Sequence, residues 1–175
     1  MPAPFHLRRG SRADLRALHR QELALVGDGR GTVWALEDIR DFGTFEERFA
    51  PFFDPASRDD YGLFVAEVDG AVAGCAMVRR VRPTFTRHVG VFSLEVHTTY
   101  QRRGIGRALL RACVTWAREN GIERFELYTR SDNDRARALY ESEGFVHEGT
   151  RERFIRLPDG TYVDDVVYVC FLRSK

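Results

Sequence analysis

The chain has 175 residues, 43% of them hydrophobic and 30% charged, with a formal net charge of +1. That size and composition fit one globular domain over residues 1–175, able to bury a core without disulfide or metal support. The near-zero net charge argues against a general nucleic-acid or membrane-surface binder.

Three cysteines, Cys75, Cys113 and Cys170, lie far apart and form no CxxC pair, so neither a disulfide framework nor a metal site is expected. Each sits in an apolar stretch and reads as a small buried core residue. Met1-Pro2-Ala3-Pro4-Phe5 lacks the apolar run of a signal peptide. No segment approaches the ~18 apolar residues of a membrane span. A cytoplasmic location is expected.

Phe5 to Arg8 predicts a short first strand. Ser11, with Asp14 three residues on, reads as a helix start. Leu15, Leu18, Leu23 and Val26 then recur at roughly helical spacing up to Gly27-Asp28-Gly29. Gly31 to Asp60 is aromatic-rich, with short helices expected at Leu36 to Ile39 and Thr44 to Ala50, and Pro51 and Pro55 as terminators. Gly62 to Val68 and Ala71 to Val81 predict a hairpin around the Asp69-Gly70 turn. Arg87 to Val96 predicts a third long strand. Arg103 to Glu119 predicts a helix whose Ile105, Ala108, Leu109, Ala112, Cys113 and Trp116 share a stripe, closed by Asn120-Gly121. Arg124 to Thr129 predicts a strand and Asn133 to Glu141 a short helix. Phe145 to Ile155 and Tyr162 to Leu172 predict two more strands around the Pro158-Asp159-Gly160 turn.

This order gives a mixed α/β (α+β) fold of about seven strands with helices on both faces. The strand–helix–strand unit from Arg87 to Thr129 implies one parallel pair with a right-handed crossover, and the hairpins imply an antiparallel remainder.

The sharpest chemical feature is Gln101-Arg102-Arg103-Gly104-Ile105-Gly106-Arg107, which follows a strand and opens a helix. Glycines there allow close backbone approach. The first helical turn has N–H groups without partners, and its dipole favours negative charge. Together they suit a pyrophosphate, and Arg102, Arg103 and Arg107 add bidentate donors. It is not a P-loop, because no Gly-Lys-Ser/Thr follows. It is not a dinucleotide fingerprint, because the third glycine is missing.

Four pieces together resemble the GNAT superfamily of N-acetyltransferases. They are Leu94-Glu95-Val96-His97, the loop Gln101 to Gly106, the segment Asn133-Asp134-Arg135-Ala136-Arg137-Ala138-Leu139-Tyr140-Glu141, and Gly144-Phe145. The match runs from about Leu63 to Leu172, with a weaker one at Leu7 to Leu25. The resemblance implies a GNAT-like fold with a mostly antiparallel sheet and one splayed parallel pair. It also implies acetyl-CoA as cosubstrate and no metal. Backbone groups at Leu94, Glu95 and Val96 would pair with the pantetheine arm, and N–H groups of Arg102, Arg103, Gly104, Ile105, Gly106 and Arg107 would bind the pyrophosphate. Asn133 would contact the arm. Tyr140 would meet the thioester sulfur as general acid, and the Val96 N–H would stabilise the oxyanion. A phenol with a pKa of about 10 matches a departing thiolate, which supports the Tyr140 role on chemical grounds.

The general base is left between Glu95 and Glu126, with His97, His88 and a water chain as further candidates. The resemblance assigns acceptor choice to Gly31–Asp60 and Glu148–Asp165. In the first, Glu37, Asp38, Asp41, Glu46 and Glu47 would suit a cationic amine and the aromatics an apolar or cation–π contact. The C-terminal part resembles the amino-acid and phosphinothricin-type subgroup and shares pieces with protein N-terminal acetylases. The expected activity is acetyl transfer to the primary amine of a small molecule such as an amino acid. The alternatives are acetylation of a peptide N-terminus and non-catalytic acyl-CoA binding. A homodimer is expected by analogy alone.

Overall fold

The computed structural model describes residues 4–27 and 33–172. Its strands are β1 (His6–Arg9), β2 (Tyr61–Val68), β3 (Ala71–Arg80), β4 (Val89–Val96), β5 (Arg124–Arg130), β6 (Val146–Arg156) and β7 (Tyr162–Phe171). They form one sheet in the order β1-β2-β3-β4-β5-β7-β6. Every neighbouring pair is antiparallel except β4 and β5, which run parallel. The β2–β3 hairpin turns at Asp69 (φ 50°) and Gly70 (φ 79°), the doubly left-handed conformation that matches strand twist.

Helix α1 (Leu15–Gly27), α2 (Leu36–Ile39) and α3 (Phe42–Phe49) lie on one face, and α4 (Ile105–Glu119) and α5 (Asp134–Ser142) on the other. Two cores result. Leu15, Leu18, Phe45 and Phe49 pack on Leu63, Val65 and Cys75. On the opposite face, Leu109, Cys113 and Trp116 of α4 pack with Ala76, Val78, Phe92 and Phe125. Each buried ring or leucine removes apolar surface worth about 2 kcal/mol from water. Much of the aromatic content of Gly31–Asp60 is thus core material: the Phe45 and Phe49 rings stack 4.6 Å apart.

Several boundaries move for identifiable reasons. α3 begins at Phe42 instead of Thr44, because the Asp41 carboxylate accepts the Thr44 N–H (2.6 Å) as an N-cap. Pro51 ends the α-helix as expected and sits within a 3-10 helix at Ala50–Phe53. β4 begins at Val89, because Thr84–Thr86 is a 3-10 turn. α4 begins at Ile105, because Gly104 is left-handed. Cys75 and Cys113 are buried, but Cys170 is only partly so, on a strand near the sheet edge. α1 runs to Gly27; Asp28 and Gly29 of its expected stop lie outside the described residues. Among the described residues no helix is long and apolar enough to cross a membrane.

Candidate active site

β4 and β5 pair only at Val89–Arg124, Gly90–Phe125 and Val91–Glu126. Past Val91 they part, while β4 stays paired with β3 as far as Val96–Gly74. The Val81 N–H donates to the Val89 carbonyl and the His97 N–H to the Ala73 carbonyl, both at 2.9 Å. Odd-numbered residues of β4 therefore aim their backbone groups at β3, and even-numbered ones aim theirs toward β5. Leu94 and Val96 thus present N–H and C=O groups to an open wedge. Gln101 Nε2 donates to the Val96 carbonyl (3.0 Å). The Val96 N–H and both Leu94 groups remain along the wedge.

The chain leaves β4 through a 3-10 turn at Thr98–Tyr100. Arg102 (φ 63°) and Gly104 (φ 82°) then curl it into α4. The Ala108 N–H donates to the Gly104 carbonyl (3.0 Å), so the N–H groups of Ile105, Gly106 and Arg107 precede the helical ladder. Among the described residues, no N–H of residues 102–107 donates to another segment. A Cβ built at Gly104 meets nothing within 4 Å, so this glycine is required by its backbone angle, and its front is open. Arg102 lines the cleft. Arg107 Nε pairs with Glu143 (2.8 Å), which Arg111 also holds. Arg103 does not line the cleft; it reaches the Thr99 carbonyl (3.4 Å) and lies over the Tyr100 ring.

α5 closes the other side of the wedge. Asn133 Oδ1 accepts the Ala136 N–H (3.2 Å) and caps this helix, and Asn133 also lines the cleft. One helical side further, Tyr140 is 6% exposed. Its ring meets Phe92 edge-on at 5.9 Å and Tyr168 at 6.0 Å. Its hydroxyl bonds to no described residue, and burial raises its pKa, holding the phenol protonated.

The strand registers put Glu95, Tyr128, Asp165 and Arg151 on the sheet face that carries α1–α3. All four line the same cleft, of about 1280 Å³, as the loop and Tyr140. Burial pushes the Glu95 carboxyl up to about 7; the Glu22 carboxylate adds to this and Arg48 opposes it. Glu126 does not line the cleft. Arg124 pairs with it (2.9 Å) and the Tyr128 hydroxyl donates to it (2.7 Å). His97 accepts the Thr99 N–H (3.3 Å), and His88 is exposed at the closed end of the β4–β5 pair; neither lines the cleft.

Sequence reasoning missed Glu22; Trp34, Arg151 and Asp165 lie inside the two segments expected to choose the acceptor but were not singled out there. Glu22 stands on the apolar stripe of α1 and pairs with Arg48, whose guanidinium lies 4.9 Å over the Trp34 ring. Arg151 pairs with buried Asp165 (2.8 Å from Nε) and lies against Phe154 (3.8 Å) and Tyr128 (4.7 Å). A carboxylate on the core stripe of α1 was the one sequence signal available for Glu22. The acids that were expected to face the acceptor do other work. Asp38 and Asp41 cap helices, Glu46 pairs with Arg12, and none of Glu37, Asp38, Asp41, Glu46 or Glu47 lines the cleft.

A splayed parallel pair opening onto an amide-rich helix start is a family-level arrangement, and residues 31–145 match the model of the acetyltransferase (GNAT) family. The chain belongs to this acetyltransferase family. It is 40% identical over 92 residues to the N-alpha-acetyltransferase RimI of Mycobacterium tuberculosis, covering 53% of this chain. The match spans 56% of that relative, just over half its length. It is 33% identical over 113 residues to the L-amino acid N-acetyltransferase AaaT of Escherichia coli K12, covering 62% of this chain and 67% of that one. In fold it resembles the phosphinothricin acetyltransferase of Sinorhizobium meliloti, whose structure was solved in complex with acetyl-CoA. The TM-score is 0.85 at 24% identity, over 96% of this chain and 88% of the other.

Proposed function

We propose that the protein is an acetyl-CoA-dependent N-acetyltransferase acting on the primary amine of a small molecule such as an amino acid, by direct attack in a ternary complex. The observation that carries this reading is one cleft lined by the free edge of β4, the open loop before α4, an unbonded phenol and a carboxyl near neutrality. The residues fit acetyl-CoA on structural grounds. Leu94 and Val96 offer a strand edge to amide groups of the pantetheine arm. The N–H groups of residues 102–107, with Arg102 beside them, offer a pyrophosphate site, and the open front of Gly104 lets a ligand come close.

Bound acetyl-CoA supplies the acetyl group as a thioester. Glu95 takes a proton from the acceptor's ammonium, freeing the nitrogen lone pair that forms the new C–N bond. The Val96 N–H donates to the carbonyl oxygen as that oxygen gains charge. Tyr140 gives its proton to the sulfur as the C–S bond breaks. The nitrogen of the new C–N bond loses its second proton to solvent, Glu95 releases the first one there too, and Tyr140 is reprotonated from solvent, so the net products are the amide, the free thiol and one proton.

The relative named for L-amino acid acetylation supports a small acceptor. The relative named for N-alpha acetylation supports a second reading, a peptide N-terminus. Two measurements test the proposal. Acetyl-CoA at 100 times its Kd is expected to stabilise the protein by about 2.7 kcal/mol, and no thermal shift at millimolar acetyl-CoA would end the reading. Thiol release is then measured against L-amino acids, polyamines, aminoglycosides and short peptides. Turnover confined to peptides moves the assignment to the second reading.

A further inference from the structure

Glu22 occupies a place where the fold has use for a leucine. It lies four residues after Leu18 and seven after Leu15, on the stripe of α1 that faces the sheet. Its side chain is 6% exposed, yet it lines the cleft. A buried ion pair adds little stability over an apolar pair of the same volume, so stability does not account for the choice. Glu22 Oε2 is held by Arg48, and Oε1 has no partner among the described residues. Arg48 is fixed in turn by the rings of Trp34, Phe45 and Phe49 at 4.9, 5.1 and 5.5 Å. Glu95 couples to this pair from β4 and has no ion pair of its own among the described residues. Cys75 of β3 couples to both carboxylates, and along the cleft stand Tyr128 of β5 and the Arg151–Asp165 ion pair, which carries no net charge. Burial raises the Cys75 and Tyr128 pKa values, so neither adds charge at neutral pH.

Building on the acetyltransferase reading, we propose that Glu22 binds the acceptor's ammonium group and presents it to Glu95, so that the site selects amines that arrive protonated. The two carboxylates then divide the work according to their surroundings. Glu22 carries its own counter-ion and serves as a fixed anchor through Oε1. Glu95, without one, exchanges the proton.

Glu22→Gln keeps the volume and removes the charge. It is assayed with the L-amino acid, polyamine or short peptide that the wild-type protein acetylates fastest. Losing a hydrogen bond to a charged group is expected to raise the KM for that amine about 10- to 100-fold. The KM for acetyl-CoA stays unchanged. The acidic limb of kcat/KM moves to lower pH, because the Glu22 charge no longer raises Glu95. The double variant Glu22→Gln, Arg48→Met removes both charges of the pair together. If the pair serves only to join α1 to α3, the double variant regains the wild-type KM for the amine, and the proposal falls. A defect that persists in the double variant supports it. An unchanged amine KM in Glu22→Gln overturns this inference and leaves acetyl transfer standing. A wild-type protein that acetylates none of these amines removes the acetyltransferase reading and this inference with it.

Discussion

Replacing Glu95 by glutamine is expected to separate the stability of the cleft from its activity. Burial pushes this carboxyl from the ordinary 4.5 up to about 7. Between those two values the native protein keeps a proton that the unfolded chain has released. Native stability therefore falls as pH rises through that window, and the whole penalty is present above about pH 7. The displacement corresponds to about 3 kcal/mol of preference for the neutral form, an upper figure because cleft water screens the charge. Glutamine has the same shape and no charge, so the difference between the two proteins isolates this penalty. The two should melt together at the acid end. Above pH 7 the variant should be more stable by up to about 3 kcal/mol, a Tm gain of roughly 6–12 °C for a chain of this size. Ligand-free thermal and urea melts from about pH 4 to pH 9 measure the gap. In the wild type kcat/KM should fall on the acid side with a midpoint near 7, where Glu95 takes up its proton. The variant should lose most of its turnover. A stability gap that is the same at both ends of the pH range refutes the buried-carboxyl argument. Wild-type turnover in the variant refutes the role of Glu95 as base.

Tyr140→Phe removes a hydroxyl that bonds to no described residue, so stability should change by less than about 1 kcal/mol. Its kcat should drop at least about 100-fold, with acetyl-CoA affinity, read by calorimetry, preserved; retained turnover would remove the general acid. Gly104→Ala forces a side chain into φ 82° and should destabilise by about 1–2 kcal/mol while weakening acetyl-CoA binding. Gly106→Ala is the contrast. Its new methyl would stand 3.5 Å from Leu139, an ordinary contact, and alanine favours the helix by about 1 kcal/mol. Thermal melts should show it at least as stable as the wild type, and a fall in Tm comparable to that of Gly104→Ala would mean the first turn of α4 is tighter than described.

The sheet was largely legible in the sequence, because alternation and turn chemistry are local. Asp69-Gly70 and Pro158-Asp159-Gly160 each mark the turn between strands that pair in the structure. Boundary errors fall where a cap or a left-handed residue overrides periodicity, as at Asp41 and Gly104. The loop end of the cleft was legible for a related reason: its open backbone groups belong to one continuous stretch, Leu94 to Arg107, whose glycine spacing is visible in the chain. The end proposed for the acceptor is assembled differently. Glu22, Arg48, Glu95 and Arg151 come from α1, α3, β4 and β6 and meet only through strand order and helix packing. Glu95 is announced by the stretch Leu94 to His97; no local pattern announces the other three, and of the acids that composition did announce, Asp38 and Asp41 cap helices, Glu46 pairs with Arg12, and none lines the cleft. One misfit bears on the cleft: Glu22, a glutamate where the α1 stripe calls for an apolar residue; His19 and Gln21 are also buried on this helix but do not line the cleft. Burying that carboxylate opposes folding unless something offsets it, and Arg48 supplies the counter-charge while bonding only Oε2. Oε1 is left without a partner among the described residues, and in the proposal it takes the acceptor's ammonium, which ties the least legible end of the cleft to a residue that breaks the folding pattern.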